Sequence, residues 1–156
     1  MTTAECRLHA TMLECDGKGV LLIGESGCGK SDLALRLIMS APPQSQGSSE
    51  FKDQSKFNLV ADDQVVIRLA GGKLSGEAPE TIAGKIEVRH IGICEFPYTK
   101  RAPVNLVIDL ESSGSIERLP PDNQTYKILG IAVPLIKLAP FEASSPSKLI
   151  LALKNI

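Results

Sequence analysis

The sequence predicts an α/β fold with a mixed sheet and few helices, and three observations carry the prediction. The apolar run Val20-Leu21-Leu22-Ile23 leads straight into the octapeptide GESGCGKS, residues 24–31, and then into Asp32-Leu33-Ala34-Leu35-Arg36-Leu37-Ile38. That order is strand, glycine loop, helix. The segment VNLVIDL, residues 104–110, is almost wholly apolar, as a strand is when both of its faces are covered. The remaining strand-like segments outnumber the helical ones and do not alternate with them, unlike a regular doubly wound sheet. A length of 156 residues fits a single domain over 1–156 with a sizeable core.

Taken in order, residues 7–15 read as one strand, with Leu8, Ala10, Met12 and Glu14 alternating against His9, Thr11 and Leu13. Asp16-Gly17-Lys18-Gly19 is a turn, and Val20 to Ile23 is the second strand of a hairpin. Residues 31–40 place Leu33, Leu37 and Ile38 at helical spacing, and Pro42-Pro43 ends the helix. Residues 41–56 are polar and rich in Ser and Gln, the composition of a mobile surface loop inserted in the domain. Strands follow over 57–61 and 65–69, around Asp62-Asp63-Gln64, and Gly71-Gly72 turns the chain. Residues 79–85 read as a short helix and 85–93 as a mixed segment. Residues 126–138 read as a strand region broken near Pro134. Ser144-Ser145-Pro146 supplies an N-cap and a first-turn proline for a final helix, SKLILALKN.

Composition narrows the class. A net charge of −1 gives no overall field to attract nucleic acid. No apolar run approaches the length that crosses a bilayer, and MTTAECRLHA lacks a signal-peptide core. Cys6, Cys15, Cys28 and Cys94 are widely spaced and form no C-x-x-C. The expectation is reduced thiols in a cytoplasmic protein.

GESGCGKS fits G-x-x-x-x-G-K-[ST], the loop that cradles nucleoside phosphates. Its glycines let consecutive N–H groups of Gly24, Glu25, Ser26, Gly27, Cys28, Gly29, Lys30 and Ser31 turn inward, at a helix N-terminus that adds positive potential. Lys30 supplies a full charge, and Ser31 offers a hydroxyl to Mg²⁺. LVADD, residues 59–63, puts two adjacent carboxylates at the end of an apolar strand. Neighbours on a strand point to opposite faces, so one can reach the metal shell while the other faces an acceptor hydroxyl as general base. In IEVRHIGI, residues 86–93, Glu87 and Arg89 share a face if the segment is extended. A carboxylate and a guanidinium there suit metal and phosphate. His9 and Arg118 carry no signal by themselves.

The order of these pieces resembles the catalytic domain of the HPr kinase/phosphorylase family. The resemblance rests on His9, GESGCGKS, LVADD and IEVRHIGI, and covers most of residues 7–118. It implies a phosphate-loop-containing, phosphoenolpyruvate carboxykinase-like core that uses ATP and Mg²⁺ to phosphorylate a seryl residue of the phosphocarrier protein HPr. It also implies a hexamer. Lys30 and the loop backbone would hold ATP, Ser31 and Glu87 would ligate Mg²⁺, and Asp63 would be the general base supported by Asp62. His9, Arg89 and Arg118 would complete the active site. The family's larger members carry an N-terminal domain, so the chain reads as a short form. The family glycine after E-x-R is His90 here. The proline- and arginine-bearing segment linked to dephosphorylation reads Val133-Pro134-Leu135-Ile136-Lys137, without arginine. Two other readings share the loop: a small-molecule kinase or carboxykinase-like enzyme, and a regulatory module that binds ATP without turnover. No [NT]-K-x-D guanine signature favours a GTPase.

Overall fold

Residues 3–40 and 57–156 are described by the computed structural model. The segment 41–56, read above as a mobile loop, lies outside the described residues. The chain begins with β1 (Ala4–Leu8), β2 (Thr11–Cys15), β3 (Lys18–Ile23) and helix α1 (Lys30–Met39). It continues through β4 (Asn58–Ala61), β5 (Val65–Ala70), β6 (Lys73–Glu77), β7 (Lys85–Val88), β8 (Gly92–Glu95), β9 (Arg101–Pro103) and β10 (Leu106–Leu110). Last come β11 (Thr125–Ile128), β12 (Ile131–Leu138) and helix α2 (Ser145–Lys154).

The strands form a six-stranded sheet in the order β11-β12-β10-β3-β2-β4, a four-stranded sheet β1-β5-β6-β9, and the hairpin β7-β8. The large sheet is mixed. β3, β10 and β12 run parallel, while β2 pairs antiparallel with both β3 and β4. The C-terminal ends of β3, β4 and β10 therefore share one edge with the start of β2.

Side-chain alternation divides the core into two layers. Leu13 of β2, Val20 and Leu22 of β3, and Leu106, Ile108 and Leu110 of β10 meet Leu33 and Leu37 of α1 and Leu149 and Leu153 of α2. Met12, Leu21 and Val107 point the other way, onto Ile67, Leu74 and Ala102 of the four-stranded sheet. The sheet is thus covered by helices on one face and by strands on the other, which is why VNLVIDL lacks a polar face.

Several elements differ from the sequence reading. The expected single strand 7–15 is two strands in two sheets, separated by His9-Ala10. Alternation runs through the corner unbroken, so the pattern hides the change of sheet. The break expected near Pro134 falls instead at Leu129-Gly130, both at positive φ. β12 continues through Pro134 because the Leu135 N–H turns toward the Gln124 carbonyl. The Pro134 nitrogen then faces β10, whose pairing with β12 begins only at Leu135. The helix expected over 79–85 is a single 3₁₀ turn, Glu80–Ile82. Segment 85–93 is the β7–β8 hairpin with Arg89 and His90 in its turn. Ser144 is the N-cap of α2, but its side chain makes no capping hydrogen bond.

One charged ladder crosses all four strands of the smaller sheet. Arg68 of β5 pairs with Glu5 of β1 at 2.8 Å and with Glu77 of β6 at 2.8 Å, and Glu77 pairs with Arg101 of β9 at 3.0 Å. Burial pushes the Glu77 carboxyl up, but hydrogen bonds from Arg101 and Arg68 more than reverse this and hold it below the usual glutamate range. A lowered carboxyl stabilises the fold above its unfolded pKa and loses that contribution on acidification. Glu77→Gln is therefore expected to cost about 1–2 kcal/mol at pH 7. The difference from the parent protein should shrink toward zero as the pH falls below roughly 4. Urea unfolding of both proteins across pH 3–7 measures this, and a pH-independent difference would exclude the ionic origin.

Candidate functional site

The glycine loop leaves β3 at the shared edge of the large sheet and enters α1. Gly24 has φ +151, and a Cβ there would lie 2.6 Å from the Cys28 sulfur and 3.0 Å from the Leu110 carbonyl oxygen. Gly29 has φ +105 and is the N-cap of α1. A Cβ on it would lie 2.8 Å from the Phe141 ring and 3.0 Å from Pro140. Only glycine combines those dihedrals with that closeness. The loop is closed by the Cys28 N–H donating to the Glu25 carbonyl at 3.0 Å. Lys30 is buried, and its ammonium donates to the carbonyls of Gly24 at 3.0 Å and Glu25 at 2.9 Å, 3.7 Å from the Cys28 sulfur. The ammonium thus sits inside the loop that its own residue begins to turn into a helix.

The two aspartates follow β4 and have separate surroundings. Asp62 is buried, and its Oδ1 accepts from the hydroxyls of Thr11 and Ser31, each at 2.8 Å. Asp63 has φ +67 and stands at the apex of a three-residue turn closed by the Gln64 N–H on the Asp62 carbonyl at 2.8 Å. Its side chain is 68% exposed, and Oδ1 lies 3.4 Å from Nδ1 of His9. The Ala10 N–H donates to the Asp63 carbonyl at 3.3 Å, which joins the β1–β2 corner to this turn. Strand alternation was the reason given above for separating the pair. The separation is produced instead by the left-handed backbone at Asp63, beyond the end of the strand.

On the other flank of the loop, β10 lies beside β3 and Asp109 pairs with Ile23. A cavity of about 930 Å³ opens there, and its lining includes His9, Gly24, Glu25, Asp109, Glu111 and Phe141. Burial, then the hydrogen-bonded Glu111 and its charge, push the Asp109 carboxyl above the usual aspartate range, against the opposing charge of Lys137. Burial also pushes Glu111 up, but hydrogen bonds from Lys137 and Ser115 outweigh it and leave Glu111 low. Sequence reasoning passed over Asp109, Glu111, Thr11 and Phe141. The acid near the end of VNLVIDL was the available signal for Asp109, but its use needed the adjacency of β10 and β3.

The other expected site residues lie elsewhere. Glu87 is exposed on β7, and Arg89 is exposed in the hairpin turn rather than on a shared strand face. Neither lines the cavity. His90 takes φ +73, the conformation a glycine adopts freely, where the resemblance expects glycine. Arg118 is exposed and lines a second cavity of about 450 Å³ together with Lys137 and Lys148. Residues 133–137, read above as the counterpart of the proline- and arginine-bearing segment, are part of β12. The loop before the last helix is 139–144, APFEAS, and it rests on Gly29. Among the described residues, no group of three or more His, Cys, Asp and Glu could hold a metal by itself.

Asp62→Ala would leave the buried Thr11 hydroxyl and the Ser31 hydroxyl without their acceptor, a loss of about 1–3 kcal/mol. Asp63→Asn keeps a side chain that tolerates positive φ and is expected to change stability by less than about 0.5 kcal/mol. Denaturant unfolding of the two variants measures the contrast, and equal destabilisation would reject the division between buried anchor and exposed group.

Comparison with known proteins places the chain in a family. The family described as HPr Serine kinase C-terminal domain matches residues 1–154. A protein of Cupriavidus necator named HPr kinase/phosphorylase is 33% identical over 141 residues, 84% of this chain and 39% of that protein. One of the same name from Caldicellulosiruptor bescii is 38% identical over 139 residues, 82% of this chain and 40% of that protein. The chain thus spans about two fifths of the length of these relatives. The solved Hpr(Ser) kinase/phosphatase from Coxiella burnetii superposes with a TM-score of 0.74 at 27% identity, covering 96% of this chain and 88% of that one. Its fold, like this one, is a mixed α/β structure with few helices. With the match running from the first residue to the last helix, the chain belongs to the HPr serine kinase C-terminal domain family.

Proposed function

We propose that this domain, on a phosphate-loop core like that of phosphoenolpyruvate carboxykinase, transfers the terminal phosphoryl group of ATP to a seryl hydroxyl of the phosphocarrier HPr. The single observation that carries the reading is the division of the aspartate pair. Asp62 is tied to the loop hydroxyl of Ser31, while Asp63 is held out beside His9, within one edge of the sheet. A binding module without turnover has no need of the second, exposed carboxylate. The names of the relatives support HPr as acceptor. A cytoplasmic location and a hexameric assembly belong to the same proposal. Both rest on the resemblance; separately, no helix among the described residues is long and apolar enough to cross a membrane.

The residues act mostly by positioning and by neutralising charge. Loop N–H groups and the N-terminus of α1 cradle the phosphates, and the Lys30 ammonium exchanges its carbonyl partners for phosphate oxygens. Hard oxygen donors at Ser31 and Asp62 fit Mg²⁺, with Glu87 assigned to it by resemblance. When bound, the ion would neutralise negative charge on the phosphates. Asp63 orients the seryl hydroxyl and takes its proton as the oxygen–phosphorus bond forms and the γ-phosphoryl leaves ADP. An aspartate is a weak base, but proton transfer late in a loose transition state asks little basicity of it. His9 holds the Asp63 carboxylate in place. Arg89 and Arg118 are carried as active-site residues by the resemblance alone.

Lys30→Ala is expected to abolish Mg·ATP binding in calorimetry, and Asp63→Asn to slow transfer to HPr by roughly 10²-fold or more with ATP affinity unchanged. Unaltered binding in the first variant would reject the phosphate loop, and an unaltered rate in the second would remove the base.

The reverse limb should be weak. There, inorganic phosphate attacks the phosphorus of phosphoseryl-HPr, giving pyrophosphate and HPr with its seryl hydroxyl restored. Two anions then meet, and the site needs added positive charge. Loop 139–144 holds no arginine, and the Lys137 ammonium is paired with Glu111 at 3.3 Å. Pyrophosphate release from phosphoseryl-HPr with millimolar phosphate and Mg²⁺ is expected to be slower than the forward reaction, and equal rates would refute this.

A further inference from the structure

Phe141 is 68% exposed, yet the backbone that carries it is fastened on both sides. Arg36 of α1 donates to the Pro140 carbonyl and, at 3.4 Å, to the Glu142 carbonyl, which flank residue 141. The Ser145 hydroxyl donates to the Ala139 carbonyl, the Ser145 N–H donates to Glu142 at 3.1 Å, and Lys148 pairs with the Glu142 carboxylate at 2.8 Å. The tip of the ring ends over the bare Cα of Gly29, the residue before Lys30. The ring also lines the 930 Å³ cavity that continues from Gly24 and Glu25 toward Asp109 and Tyr126. That size is within the range of small-molecule sites, roughly 300–1,000 Å³.

A phenylalanine that served packing alone would bury its large apolar surface. This one leaves most of its surface exposed, sets its ring tip against the glycine loop and lines the cavity. Arg36 lies on the helix that follows the loop, so loop and ring are held in one rigid relation. We propose that Phe141 is the stacking platform for the purine base of the nucleotide whose phosphates the loop holds. The assignment rests on the reading of 24–31 as a nucleotide site and adds which part of the chain meets the base. Phosphates on the N–H groups of the loop leave the nucleoside to extend off the loop into the adjoining cavity, where Phe141 is the exposed aromatic next to Gly29. Stacking on a ring reads the flat face of a base and not its edge, so the platform accepts adenine and guanine alike.

The chain contains no tryptophan, which gives a direct test. In Phe141→Trp the single indole should be quenched by Mg·ATP and Mg·GTP but not by Mg·tripolyphosphate, and ATP affinity should be kept. In Phe141→Ala the affinity for Mg·ATP should fall roughly tenfold or more, the scale of one lost base–aromatic stack. Affinity for Mg·tripolyphosphate should stay within about twofold of the parent protein. Unchanged ATP affinity in Phe141→Ala would overturn the platform while leaving the nucleotide site standing. An equal fall for ATP and tripolyphosphate would overturn it too, since the ring would then be acting on the shape of the loop. If the parent protein bound neither ligand, both readings would fall together.

Discussion

One buried carboxylate oxygen, Oδ1 of Asp62, accepts hydrogen bonds from Thr11 at the start of β2 and from Ser31 in the first turn of α1. A buried carboxylate is tolerated only with such partners. These two fix the end of β4, the β1–β2 corner and the helix against one another. The position of α1 determines where the glycine loop opens, and the turn that follows β4 carries Asp63 outward. The Ser31 hydroxyl is thereby held in one orientation at the start of α1.

That anchor has a use because of how the sheet is layered. Two faces covered by helices and by a second sheet make β3 and β10 inaccessible along their length, so polar work is confined to the strand ends. In open α/β sheets the crevice beyond the carboxyl ends of the strands is where ligands bind. Here three such ends, of β3, β4 and β10, converge. The Glu5–Arg68–Glu77–Arg101 ladder stiffens the second sheet, which backs the first.

The two flanks of the loop differ in chemistry. Toward β4 lies the exposed Asp63, beside His9, which also reaches the cavity on the other side. Toward β10 lie Asp109 and Glu111, sharing the charge of Lys137, and a fastened loop that presents an aromatic ring. The first flank is open to solvent, while the second is a cavity of small-molecule size. The loop between them belongs to both.

The strand–GESGCGKS–helix unit was legible because everything that makes it lies within a few consecutive residues: glycines at positive φ, a lysine and a serine at the helix start. The same holds for the apolar strand ending in Asp-Asp, for the hairpin at Asp16-Gly17, and for the mixed α/β class. The meeting of His9 with Asp63, the neighbouring of Asp109 and the loop, and the resting of Phe141 on Gly29 could not be read. Each depends on which strands pair across long stretches of chain, and a period of two says that a segment is a strand without naming its sheet or its neighbour. The corner at His9-Ala10 shows this most plainly, since one unbroken alternation serves two sheets. The aim of Asp63, set by the sign of one backbone angle, and the placement of Glu87, Arg89 and Arg118 away from the cavity were decided by tertiary packing alone.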